Sequence, residues 1–245
     1  MPEKSWDGPS LKSRVHSGET VLGVGVPMTI DRSAVEAVLE REPYEFLWVD
    51  SQHSAFEEER LISFCGMAAE LGVHVVFRIR SPRDAHQIGS YMDLGPTGVE
   101  VPLVELESTV DEALSSFYYP QVGKRSWGGR SRLGFRMQDD RLDYARWWNE
   151  TGVMWIQVES IVAVTNARGL AKTGVDCLSF GPADLSFSME SQPQHALKTV
   201  DDCVRHVVEQ VRDTGTVVCF RNGSPDKRQK YIDMGVPVLL EQLPA

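Results

Sequence analysis

The chain has 245 residues, a formal net charge of −10, 42% hydrophobic and 24% charged residues. That length holds one large domain and suits a (β/α)8 barrel, and no Pro/Gly/Ser-rich linker divides it, so residues 1–245 are read as a single domain. The acidic balance argues against a nucleic-acid or anionic-membrane partner, since both want a basic face.

Apolar, β-branched runs alternate with amphipathic stretches along the sequence. Residues 1–20 predict an N-terminal helical segment covering the barrel. Strands are expected at Val21 to Val26, Phe46 to Asp50, Val73 to Ile79, Gly98 to Pro102, Val153 to Val158, Val175 to Phe180, Thr216 to Phe220 and Val236 to Glu241. Between them, helices are expected at Ser33 to Arg41 (capped near Asp31 or Ser33), Phe56 to Leu71 (closed by Gly72), Ala85 to Leu94 (closed by Gly95) and Ser108 to Phe117. Further helices are expected at Leu142 to Asn149, Ile161 to Lys172, Ala196 to Thr214 and Pro225 to Met234, and a long Gly/Ser/Arg-rich loop spans Tyr118 to Arg136. Eight strands alternating with helices predict a parallel sheet closed into a TIM barrel. The sequence ends directly after the eighth strand, so the last helix is expected to be lacking or truncated, leaving a flank for a partner subunit or the N-terminal segment. The four cysteines, Cys65, Cys177, Cys203 and Cys219, have no CxxC spacing and read as buried reduced thiols. No apolar signal core or membrane-length run is present, which predicts a cytoplasmic protein without a membrane partner.

In a barrel of this kind the chemistry belongs at the carboxyl ends of the strands. Strand 2 ends in Asp50-Ser51-Gln52-His53, strand 3 in Arg78 with Arg80 beyond, strand 5 in Gln157 and Glu159, strand 6 in Gly181-Pro182-Ala183-Asp184, strand 7 in Arg221 and Asn222, strand 8 in Glu241; Asp93 and the Lys124-Arg125 pair lie on helix and loop. Glu159 and Asp184 would put two hard oxygen ligands at one mouth, suited to a divalent cation with positions left open. Each has another reading: Asp184 as a helix N-cap, Glu159 as the partner of a base across the mouth. Histidine is the side chain suited to carrying protons near neutral pH, so His53 reads as a proton carrier or as structural. Arg78 could fork onto a substrate carboxylate or carbonyl oxygen, and the Ala183 and Asp184 amides could cradle a carboxylate. No lysine stands at a predicted strand end, which weighs against Schiff-base chemistry.

These motifs resemble the HpcH/HpaI aldolases. The residues that carry the resemblance are Leu11-Lys12-Ser13-Arg14 with Gly18-Glu19, Val49-Asp50 with His53, Val76-Phe77-Arg78, Asp93-Leu94-Gly95, and Tyr119-Pro120 with Gly123 and Arg125. Gln157-Val158-Glu159-Ser160 and Gly181-Pro182-Ala183-Asp184-Leu185-Ser186 complete the set in order along the chain. The family comprises class II, metal-dependent pyruvate aldolases of the phosphoenolpyruvate/pyruvate-binding barrel type, to which macrophomate synthase is related. The resemblance implies that Glu159 and Asp184 ligate Mg²⁺, Mn²⁺ or Co²⁺. It implies that Arg78 contacts the keto oxygen of a 2-oxo acid, and that Gln157 and the Ala183 and Asp184 amides hold its carboxylate. His53 would move protons through a water on the metal, oriented by Asp50 or Asp93. The implied partners are a small 2-oxo acid, an aldehyde and further copies of the chain in a trimer or hexamer. The implied reaction is aldol cleavage of a 4-hydroxy-2-oxo acid, with a decarboxylase of macrophomate synthase type or a non-catalytic oxo-acid binder as alternatives. The chain departs from the pattern at Gln52, where the family carries a glutamate expected to hold water near the metal, and at Ser126-Trp127-Gly128-Gly129.

Overall fold

A computed structural model describes residues 9–135 and 140–243; residues 1–8 of the expected N-terminal segment and Arg136 at the end of the expected loop lie outside them. The strands are β1 (Val21–Gly25), β2 (Phe46–Asp50), β3 (His74–Arg78), β4 (Gly98–Val101), β5 (Val153–Val158), β6 (Cys177–Phe180), β7 (Val217–Gly223) and β8 (Val238–Gln242). Each pairs in parallel with the next, and β8 closes on β1, giving the eight-stranded barrel that the alternation predicts. The helices are α1 (Leu11–Val15), α2 (Arg32–Arg41), α3 (Glu58–Leu71), α4 (Ile88–Met92), α5 (Glu107–Phe117), α6 (Arg141–Thr151), α7 (Ile161–Thr165), α8 (Ala167–Leu170), α9 (Pro182–Glu190), α10 (Val200–Val211) and α11 (Arg228–Ile232). Among the described residues no helix is long and apolar enough to cross a membrane.

The helix ends follow local chemistry. The Asp31 side chain accepts from the Ala34 N–H and starts α2; Thr199 and Asp202 form a reciprocal capping box on α10; Gly72, at φ 74°, closes α3 in a left-handed turn that L side chains resist. Three expectations change. The stretch from Ala85 is a 3₁₀ turn (Pro82–Gln87) running into α4, and the stretch from Ile161 breaks at Asn166 into α7 and α8, where the Asn166 amide donates to the Glu105 carbonyl oxygen. The Gly-Pro-Ala-Asp segment opens a full helix, α9, that the sequence reading does not assign. Pro182 is tolerated there because the first helical N–H would lack a partner in any case.

Side chains alternate across each strand, so every strand has one set facing the axis and one facing the helices. The inward set forms its own apolar cluster: Val21, Phe46, Trp48, Val76, Val153, Trp155, Cys177, Cys219, Val238 and Leu240, joined by Leu11 and Val15 of α1. The outward set, including Leu47, Val49, Phe77, Ile156, Leu178, Phe180 and Leu239, packs under the helices. The cysteines are buried and free, as their spacing predicts. Carried upward, the same parity sends Asp50, Arg78, Glu100, Gln157, Glu159, Arg221, Gln242 and Gly25 to the axis.

Space along the axis is tight. Gly23 pairs with Phe46 across β1 and β2, and a Cβ on Gly23 would fall within the Phe46 ring. Gly23→Ala is expected to destabilise the protein by about 1–3 kcal/mol, the range for overpacking a dense core. The check is a lowered urea midpoint at unchanged slope. Adding Phe46→Leu to Gly23→Ala should recover part of the loss.

Candidate active site

The inward residues at the carboxyl ends of the strands line a cavity of about 620 Å³. Asp50, His53, Arg78, Gln157, Ala183 and Asp184 all border it, so six of the residues singled out in the sequence share one space. Arg221 and Gln242 complete the wall on the β7–β8 side.

Arg78 is the most connected of these. Its Nε donates to Asp50 Oδ1 at 2.7 Å and its Nη1 to Gln157 Oε1 at 3.2 Å, and it is buried. Burial by itself would raise the Asp50 carboxyl, but the hydrogen bond and charge of Arg78, with the N–H groups of Gln52 and His53, hold it below its usual value. Asp50 therefore fixes both the guanidinium and the turn that carries His53. It reaches His53 through the backbone N–H, at 3.2 Å.

Glu159 is the opposite case. It is 3% exposed, beneath the cavity, and accepts a hydrogen bond from the Leu103 N–H at Oε1, 2.7 Å away; Oε2 is buried and has no partner among the described residues. Burial pushes its carboxyl up to about 7, the Leu103 N–H and Arg78 opposing and the charges of Glu100 and Asp184 adding to the rise. Leu103 provides its N–H from a left-handed backbone, φ 53°. The side chains of Glu159 and Gln157 both crowd Gly181, where a Cβ would overlap Glu159 Oε2 and stand 2.7 Å from Gln157 Nε2, so any larger residue would displace the two side chains.

Asp184 occupies the first turn of α9, but the cap is Gly181, so the N-cap reading of Asp184 does not hold. Ala183 and Asp184, whose first-turn N–H groups no helical carbonyl can satisfy, both border the cavity. An unpartnered buried oxygen on one acid, charge-coupled to a second acid, fits a divalent cation, and both donors are the hard oxygens such an ion prefers. Among the described residues no group of three or more His, Cys, Asp or Glu side chains could hold a metal, so Glu159 and Asp184 would supply two ligands and leave the others to solvent or substrate.

Three residues expected at the mouth lie elsewhere. Asp93 caps the end of α4, outside the cavity wall, and its carboxylate accepts from Arg125 Nη2 at 2.7 Å; Arg125 is itself sandwiched against the Tyr119 and Trp148 rings. Within this chain Asp93 anchors the 118–135 loop. Gln52 donates its N–H to Asp50 and leaves Oε1 buried, without a partner among the described residues and off the cavity wall. Glu241, read in the sequence as a strand end at the mouth, has outward parity: it takes Arg228 and the Tyr44 hydroxyl in the helical layer, and the adjacent Gln242 faces the cavity.

The sequence reading passed over Glu100. It is fully buried on β4 with inward parity, where Oε2 accepts from Trp48 Nε1 at 2.7 Å and Arg221 Nη2 at 2.6 Å. Its signal in the sequence is an acid inside a four-residue apolar strand, away from the strand ends where a barrel's chemistry is expected.

A family model described as HpcH/HpaI aldolase/citrate lyase matches residues 57–230. A "Hydroxypyruvate/pyruvate aldolase" of Delftia acidovorans is 25% identical over 226 residues, covering 92% of this chain and 82% of that protein. Among solved structures, an HpcH/HpaI aldolase from Desulfitobacterium hafniense superposes with a TM-score of 0.84 at 24% identity, covering 96% of this chain and 90% of the other. Macrophomate synthase superposes with a TM-score of 0.77 at 18% identity, covering 98% of this chain and 85% of the other; both likenesses are of fold. The family match spans most of the chain, and the resemblance drawn from the motifs stands: this chain belongs to the HpcH/HpaI aldolase/citrate lyase family, and so to the carbon–carbon lyases.

Proposed function

We propose that the chain is a divalent-metal-dependent class II aldolase that reversibly cleaves a 4-hydroxy-2-oxo acid to pyruvate, or a related 2-oxo acid, and an aldehyde. The observation that carries this reading is the unpartnered, buried Oε2 of Glu159 facing the charge of Asp184, with the Arg78 guanidinium on the same cavity. The Delftia relative named for pyruvate and hydroxypyruvate supports a three-carbon oxo acid as the donor. An aldol addition of that acid to an aldehyde yields a 4-hydroxy-2-oxo acid by simple atom count.

Glu159 and Asp184 would hold the ion, Mg²⁺, Mn²⁺ or Co²⁺. When bound, it supplies Lewis-acid polarisation of a substrate oxygen. Arg78, fixed by Asp50 and Gln157, directs its charge at the keto oxygen, where negative charge grows as the enolate forms. The Ala183 and Asp184 N–H groups, at the start of α9, receive the substrate carboxylate. His53, on the exposed turn held by Asp50, carries the proton to and from the 4-hydroxyl oxygen. Gln52, off the cavity wall, acts on the site through the Asp50 turn that its N–H helps to hold, and brings no charge to it.

After chelation and reloading with Mg²⁺, Mn²⁺ or Co²⁺, the protein is expected to exchange the methyl protons of pyruvate with solvent, followed by NMR. Arg78→Lys should slow exchange by about 10²- to 10³-fold, and Glu159→Gln should abolish its metal dependence. Absence of exchange with every metal, despite pyruvate binding, would overturn the enolate reading.

The raised carboxyl of Glu159 makes metal binding pH-dependent. Below about 7 an incoming ion must displace a proton, so Mn²⁺ affinity should rise about tenfold between pH 6 and pH 8, and the Glu159→Gln variant should lose that slope. The metal-free protein should behave in the opposite sense. The folded carboxyl sits above its ordinary 4.5, so its stabilising contribution is full at low pH and is lost as pH rises toward about 7. Thermal melts of chelated protein across that window, with and without Mn²⁺, check both signs.

A further inference from the structure

The cavity has a second cationic wall that the enolate chemistry leaves unused. Arg221, on β7, borders the cavity with its guanidinium 4.0 Å from the Trp48 ring centroid; Arg78 approaches the same ring at 4.8 Å. Both guanidiniums therefore pack against the same indole. One donor of Arg221, Nη2, is committed to Glu100, and Nε is buried with no partner among the described residues. Glu100 spends a single oxygen, Oε2, on both Arg221 and the Trp48 N–H, so it orients the guanidinium through one contact and leaves the planar fork unmatched. Beside Arg221, Gln242 faces the cavity from β8, and Gly25 on β1 leaves room for its amide, since a Cβ there would be 3.2 Å from Gln242 Nε2.

The two arginines sit on different arcs of the closed barrel. Arg78 belongs to the side of β3, β5 and β6 with Gln157, Glu159 and Asp184; Arg221 belongs to the side of β7, β8 and β1. A substrate whose 2-oxo acid end lies on the first arc extends its remaining carbons across a 620 Å³ space toward the second. The remaining Nη1 of Arg221 with the neighbouring Gln242 amide suits the two oxygens of a single carboxylate. Among the described residues no lysine lines the cavity to balance the second charge of a phosphate.

Building on the enolate reading of the site, we propose that Arg221, positioned by Glu100 against Trp48 and assisted by Gln242, binds a second carboxylate at the far end of the substrate. The enzyme's bond-forming aldehyde would then be one that carries a carboxylate. Arg221 is in this view a specificity-determining residue and Glu100 its positioning residue.

Calorimetric titration of the Mn²⁺-loaded protein with 2-oxoglutarate and with 2-oxopentanoate, which ends in a methyl group, tests this. The protein is expected to prefer 2-oxoglutarate by about 10- to 100-fold, the range of a charge-assisted hydrogen bond. Arg221→Leu should reduce the preference to within about twofold, and Arg221→Lys should retain part of it. Because Arg221→Leu alone leaves Glu100 buried without its cation, Glu100→Gln with Arg221→Leu provides a second variant in which no charge is stranded, and the same loss of preference is expected. A wild-type protein that binds both acids equally, or an Arg221→Leu variant that keeps the preference, overturns the assignment while leaving the enolate site standing. Binding of neither acid overturns the enolate site and this assignment together.

Discussion

The structure depends on the alternation of side chains along strands that close on themselves. In an open sheet the two faces are free to differ in what covers them. In a closed one, every second residue is committed to the axis, and the axis admits no water along its packed length. The lower layers meet that constraint with Phe46, Val76, Trp155, Cys177 and Cys219. The upper layer cannot be apolar if it is to bind a polar molecule, and there the inward set changes to Asp50, Arg78, Gln157, Glu159, Arg221 and Gln242. A shift of one residue in any strand would move its site residue into the helical layer, where Glu241 is found with Arg228.

Two carboxylates of the same mouth show how surroundings divide the work. Asp50 collects Arg78 and two backbone N–H groups and remains readily ionised. Glu159, more deeply buried, has the Leu103 N–H and two acidic neighbours, and retains its proton to much higher pH. One acid is thus suited to hold cationic side chains in place, and the other to exchange its proton for a metal ion.

Much of this was legible in the sequence. Apolar runs bounded by glycine and proline marked all eight strands, because a strand covered on both faces is nearly uniform in polarity. The motif order identified the family and most of the cavity wall. What escaped depends on relations between strands. Glu100 and Trp48 look unremarkable in their own segments, and only the closed barrel brings both to Arg221. Glu241 was misread for the same reason, since a strand-end position does not reveal parity. The breaks near Asn166 and Gln87 arise from tertiary contacts and local turns that helical periodicity does not encode.

Leu103 offers a last consequence. A non-glycine residue in the left-handed region costs on the order of 1–2 kcal/mol, and its exposed side chain gains little in return. What it does gain is the bond from its N–H to Glu159. The neighbouring residues of the same connection are tied to the β5–α7 segment through Glu105, which accepts from the Ser160 hydroxyl and, at its carbonyl, from Asn166. The β4–α5 connection is therefore anchored by the very acid whose charge state the site controls. The rim of the cavity and the ionisation of its floor form a single mechanical unit.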